Sequence, residues 1–219
     1  MAKKKSASKD SIVDGYMTYV LSADSKPKSV YAFAKEIGIS EASFYEHFSS
    51  FYAIEKHIFQ SFFKQSINLL EKDESYLEFD SKNKLLSFYF TFFEVLKANR
   101  SYVVFALQHN KNALESLKSL SELRTSFKLF VDSLEIETIN LNQEWLTKLK
   151  NNSLSELAWA QLLIVLKFWL EDESAKFEKT DLFIEKSIQA SFDLIDVSHL
   201  ASIVDLGKFL FKEKIKPML

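Results

Sequence analysis

Four histidines, His47, His57, His109 and His199, are the first residues to weigh as metal ligands or bases. None has a second histidine three or four positions away, the spacing that turns two imidazoles toward one zinc ion from a helix. The chain has no cysteine, which removes thiolate metal sites, disulfide frameworks and a cysteine nucleophile together. Its three glycines stand apart and make neither a phosphate-cradling loop nor a dinucleotide fingerprint. Serines are so numerous that a Ser–His–Asp set can be drawn from them at will, so drawing one is uninformative. Glu171, Asp172 and Glu173 are consecutive at an expected helix end, where their carboxylates point different ways. The residues argue against an enzyme and against any cofactor.

Polar side chains do concentrate in IGISEASFYEHFSSF, residues 37–51. Ser29 is placed to cap a helix whose inner face is Val30, Phe33, Ala34 and Ile37, and Gly38 to end it. Ser40 then caps a short helix, Glu41 to His47. Two short helices joined by a glycine-containing turn form a helix-turn-helix, whose second helix lies in a DNA major groove with its first residues toward the base edges. That helix carries Glu41 and Glu46 and neither lysine nor arginine. Carboxylates meet phosphates unfavourably, although one can accept from a cytosine amino group.

The elements that position this turn are helical. Of 219 residues, 47% are hydrophobic, enough for a substantial core, and three glycines with two prolines are too few for a turn-rich β fold. Ile12, Val13, Tyr16, Met17 and Val20 mark a first helix over about 10–21, and a long fourth helix spans about 52–71. KDESYLEFDSK reads as a loop. Helices follow over 83–98, 101–108, 112–134, 143–150, 154–172, 179–195 and 198–214; LEIETIN, residues 134–140, is the most strand-like stretch and reads as a loop. The longest nearly apolar run, Leu157 to Leu170, is too short for a membrane span and contains Lys167. MAKKKSASKD is basic without a following apolar segment, so it is no secretory signal, and a cytoplasmic protein is expected. Net charge is −2, but residues 1–64 hold nine lysines against seven carboxylates, the asymmetry of a nucleic-acid head on an acidic body.

SVYAFAKEIGISEASFYEHFSSFYAIEKHIF closely resembles the N-terminal domain of the tetracycline-repressor (TetR) family of bacterial regulators. The likeness rests on Ala34, Ile37-Gly38-Ile39-Ser40, Phe44-Tyr45, His47-Phe48 and Ile54, and covers roughly residues 9–60. It implies an all-α protein: a flexible basic tail over 1–8, a three-helix DNA-binding head over 9–50, and a helical effector-binding and dimerisation domain over 51–219. It implies a homodimer paired through Leu154–Asp172 and Lys179–Ile195, a double-stranded operator and a small-molecule effector. Carried onto this sequence, Ser40 and Ser43 offer hydroxyls at the start of the reading helix, Tyr45 and His47 touch phosphates or base edges, and Ser29 meets the backbone. Each has a plainer role beside it: Ser29 and Ser40 as caps, His47 as packing support, Phe44 and Phe48 as core. The family commonly has glycine at Ala42 and a phosphate-gripping lysine at Phe51, and this chain departs from both.

Aromatic residues are 15% of the chain, with 21 phenylalanines. Phe88 and Phe92 share one face of their helix and Tyr89 and Phe93 the next, so burial is expected nearly all round. A Phe-rich core accounts for each ring singly; together, rings between helices suit a hydrophobic effector. The expected lining is Phe88, Phe92, Phe105, Phe127, Phe130, Trp159 and Leu163, with His109 as the polar anchor. The last helix is basic and amphipathic, with Leu200, Ile203, Val204, Leu210 and Phe211 opposite Lys208, Lys212 and Lys216, the pattern of a membrane-surface helix or of one packed on its own domain. The alternative function follows from the same features. A TetR-like fold that has lost DNA binding can present a lipid or isoprenoid at a membrane surface, as the lipid-binding protein of coenzyme Q biosynthesis does.

Overall fold

The computed structural model describes residues 8–108, 113–136 and 144–195. His109, the Lys3–Lys5 arm, His199 and the helix expected over 198–214 lie outside them. Every regular element among the described residues is helical: α1 (Lys9–Ala23), α2 (Val30–Glu36), α3 (Glu41–Tyr45), α4 (Phe51–Leu70), α5 (Glu74–Glu78), α6 (Ser81–Ala98), α7 (Arg100–Gln108), α8 (Ala113–Ser119), α9 (Ser121–Ser133), α10 (Glu144–Glu171) and α11 (Glu178–Ile195), with a 3-10 turn at Ala175–Phe177. The first four helices start by one device. Ser8, Ser29, Ser40 and Ser50 are their N-caps, and each side chain accepts from the backbone N–H three residues on. Such a cap is worth about 1 kcal/mol.

Three elements differ from the sequence reading. The segment read as a loop over 72–82 holds α5, anchored by buried Tyr76. The helix expected over 112–134 breaks at Leu120, where the Ser119 hydroxyl donates back to the Ser116 carbonyl at 2.7 Å and both serines are buried; such side-chain bonds compete with helical ones. The two helices expected over 143–150 and 154–172 are one, α10, because Asn151, Asn152 and Ser153 have middling rather than prohibitive helix propensity. Residues 134 and 135 form a turn, with Leu134 N–H donating to Val131 O.

The chain divides into two compact units, residues 1–78 with 87–130 and residues 79–86 with 131–219. Unit 1 thus groups α1–α5, α7 and α8 with most of α6 and α9. Its interior is ring on ring. Phe51 stacks on Tyr16 (5.5 Å, 20°) and meets Phe33 and Phe44 edge-on at 5.5 and 5.7 Å. Phe88 stacks on Phe92 at 5.4 Å and lies 5.3 Å from Phe63, 5.5 Å from Phe127 and 4.9 Å from Phe130. Each such pair adds about 0.5–1.5 kcal/mol beyond the area it buries.

Unit 2 is built on the α10–α11 hairpin, with Leu162, Val165, Trp169, Ile184 and Ile188 buried. Asp172 builds its corner. The carboxylate accepts from Ser174 N at 2.8 Å, Thr180 N at 2.9 Å and Thr180 Oγ1 at 2.6 Å. Burial alone would raise its pKa, but these hydrogen bonds bring it down to about 2. Lys176 and Phe177 both have positive φ, 56° and 63°. The corner holds two residues in a conformation that side chains disfavour.

Candidate nucleic-acid interface and ligand cavity

Helix α2 ends in a Schellman motif. Ile39 N–H donates to Ala34 O at 2.9 Å and Gly38 N–H to Lys35 O at 3.3 Å. Gly38 has φ +76°, and a Cβ there would meet nothing within 4 Å, so backbone conformation alone selects glycine. At Gly15 the cause is a close approach: a Cβ would stand 3.0 Å from Ile37 Cγ2, where α1 passes the end of α2. Ser40 Oγ accepts from Ser43 N–H at 3.0 Å and opens α3.

The outer face of α3 is Glu41, Ala42, Tyr45 and Glu46, all exposed; Tyr45 is 52% exposed. Tyr31 on α2 and Tyr52 on α4 are likewise exposed. Glu41 sits in the first turn of α3, where a carboxylate meets the positive end of the helix dipole. Its presence therefore has a local cause independent of any base. His47 is half-buried, and Ser29 caps α2 through Ala32 N–H at 3.2 Å. Ser43 is not on the outer face: its hydroxyl is buried and has no hydrogen-bond partner. Phe51 turns into the ring cluster of the head, which explains why no lysine stands there. Basic groups lie beside it nonetheless, with Lys9 Nζ 5.3 Å over the Phe48 ring and Lys56 Nζ 5.1 Å over Tyr52.

One buried carboxylate, unsuspected from sequence, ties α4 to α1 and to the α1–α2 loop. Glu55 of α4 is 4% exposed. It accepts from Tyr16 Oη of α1 at 2.6 Å and pairs with Lys26 Nζ of the α1–α2 loop at 2.6 Å. Burial and the adjacent carboxylate push the Tyr16 hydroxyl's pKa up, which keeps it a donor. The only hint in the sequence is a glutamate flanking the apolar stripe Ile54–Ile58. Removing one partner of such a group is strongly destabilising.

Phe88, Phe92 and Phe127 are fully buried in the second ring cluster of unit 1, Phe130 is half-buried beside them, and Phe105 is 7% exposed on α7. Tyr89 and Tyr102, buried in the same unit, have hydroxyls without a hydrogen-bond partner. Trp159 and Leu163 lie in unit 2 on α10, buried and half-buried. Unit 2 also contains a cavity of about 440 Å³ whose walls include Leu85, Val131, Ile136, Leu157, Ile164 and Val165, with Gln161, Ser187 and Ser191 as its polar side chains. None of the seven described residues expected to bind the effector lines it. The sequence carries a faint signal in Ser187 and Ser191, two hydroxyls one turn apart on an apolar helix. No group of three or more His, Asp or Glu placed to hold a metal occurs among the described residues, and no helix there is long and apolar enough to cross a membrane.

A helix-turn-helix among elements that are all helical in the described residues defines a class of fold. Within that class the chain belongs to the tetracyclin repressor-like family, whose C-terminal domain matches residues 84–210. A solved structure of the fatty acid degradation regulator FadR from Bacillus halodurans shares the fold at a TM-score of 0.53 and 16% identity, over 85% of this chain and 95% of that one. A comparison with curated proteins gave no match.

Proposed function

We propose that the protein is a DNA-binding transcriptional regulator acting as a repressor, released from its operator by a hydrophobic effector, and not an enzyme. The observation that carries this reading is the α2–turn–α3 unit, closed by the Gly38 Schellman motif and presenting Glu41, Ala42 and Tyr45 outward. Residues 9–50 are the head, preceded by a basic tail over 1–8, and 51–219 the effector and dimerisation domain. Tyr45 and His47 touch phosphates or base edges, Ser40 offers a hydroxyl at the start of the reading helix and Ser29 meets the backbone, and the protein works in the cytoplasm, where the operator is. Two copies pair through Leu154–Asp172 and Lys179–Ile195, a reading supported by the exposure of Leu157, Ile164, Phe168 and Leu182 in the single chain. Paired heads must reach successive major grooves about 34–36 Å apart. An effector among Phe88, Phe92, Phe105, Phe127 and Phe130 favours another spacing, and operator affinity falls by its differential affinity for the two states. The unpartnered Tyr89 and Tyr102 hydroxyls would serve as its polar contacts.

A second reading is favoured by one specific arrangement: Glu41 and Glu46 face outward where DNA would lie while Phe51 faces inward. On that reading the head no longer reads DNA and the protein carries a lipid or isoprenoid, with residues 198–214 at a membrane surface. Binding to duplex from the gene's own upstream region, against random duplex across a salt series, separates the two. Specific binding that falls steeply with salt supports the regulator. Binding no better than random at low salt sinks it, and solvent extraction of the purified protein then looks for bound lipid.

A further inference from the structure

Among the described residues, the wall of the unit 2 cavity is hydrocarbon except at one place, where Gln161 of α10 meets Ser187 and Ser191 of α11. Gln161 Nε2 donates to Ser187 Oγ at 3.2 Å, and Ser191 Oγ donates to Gln161 Oε1 at 3.3 Å. The serines' shorter bonds go to their own helix, Ser187 Oγ to Ile184 O at 3.1 Å and Ser191 Oγ to Ser187 O at 2.9 Å. Ser191 Oγ has one proton for both acceptors and Ser187 O is the nearer, so the carboxamide is held weakly and keeps a second N–H and further acceptor capacity. It is a neutral donor–acceptor pair in an apolar pocket, of a volume within the usual few hundred Å³ of small-molecule sites.

We propose that this cavity is a binding site for an uncharged small molecule with an apolar body and one hydrogen-bonding group, a hydroxyl, carbonyl or amide. The body lies along Leu85, Val131 and Val165, and the polar group exchanges into the Gln161 network. The lining residues named among the described ones carry no charge, so a carboxylate or ammonium entering here would lose water without gaining a counter-charge. The lining residues named all belong to unit 2, and the site does not depend on whether the protein binds DNA.

Calorimetric titration of the full-length protein with decan-1-ol and with sodium decanoate tests this, alongside the variants Gln161→Leu and Ala158→Phe. Ala158 lines the cavity, so a phenyl group there fills it. Decanol is expected to bind and decanoate to bind more weakly. Gln161→Leu should weaken decanol roughly 2- to 10-fold, the equivalent of one net hydrogen bond, and Ala158→Phe should abolish binding. Should Ala158→Phe fail to fold, the half-buried Gln161→Leu still decides. Decanol binding that survives Gln161→Leu unchanged, or equal binding of the two probes, overturns the proposal. So does absence of binding to a protein that is dimeric, which would give the groove to the second copy instead.

Discussion

Phe51 shows how one side chain exchanges a surface role for a core one. Its ring touches Tyr16, Phe33 and Phe44 within 5.5–5.7 Å between centroids. Placing lysine there would forfeit those contacts and drive an ammonium against rings. Phe51→Lys should therefore lower unfolding stability by about 2–4 kcal/mol, read as a fall in the urea midpoint; a variant as stable as the parent would show the ring cluster to be dispensable. Glu46 is the contrasting case. It is exposed, and no helix-dipole benefit reaches it at the C-terminal end of α3. Glu46→Gln should raise affinity for duplex DNA several-fold at low salt, with the gain shrinking as salt screens it. An unchanged affinity would place Glu46 away from the duplex.

At the scale of elements, the turns carry the specificity. Gly38 has open space around its Cβ position and φ +76°, so Gly38→Ala meets no steric wall and incurs only the left-handed backbone cost, about 1–2 kcal/mol. Thermal unfolding checks this, and a neutral result would mean that the turn relaxes to another conformation. The α10–α11 corner depends on an ionised Asp172. Its folded pKa, about 2, is below the ordinary 3.8. A depressed carboxylate adds stability that is complete above the unfolded value and lost as pH falls through the folded one. Melting temperature should thus drop between pH 4 and pH 2 in the parent, and drop less in Asp172→Asn, which starts lower at pH 7. Parallel pH profiles would remove Asp172 as the cause.

For the whole molecule, the exposed apolar stripe is the feature that a single chain leaves unexplained. Leu157 is 67% exposed and Ile164 59% on α10, with Leu182 50% on α11. Such surface on paired helices fits a self-complementary two-fold interface. Ile164→Asp should convert a dimer to a monomer in sedimentation velocity without loss of helix content, and should weaken operator binding because a lone head makes half the contacts. A parent protein that sediments as a monomer would reject pairing outright. Leu157 and Ile164 also line the unit 2 cavity, so the proposed pairing and the proposed ligand would share one surface.

Helix content, the capped starts of α2 and α3, the glycine turn and the family were legible in the sequence, because they depend on neighbours three or four positions apart. Ser29, Ser40 and Gly38 do locally what their chemistry suggests. Continuity was less legible: α10 runs through Asn151-Asn152-Ser153 as one helix, and α8 parts from α9 where Ser119 bonds back to Ser116. Only the tertiary structure decided which way Ser43 and Phe51 turn, since the five-residue α3 has too little periodicity to show its inner face and Phe51 is the first residue of α4. It alone brought Glu55 to Tyr16, 39 positions earlier, and Gln161 to Ser187 and Ser191, 26 and 30 positions later. Composition counts rings and hydroxyls, but which of them meet is decided by how distant helices pack.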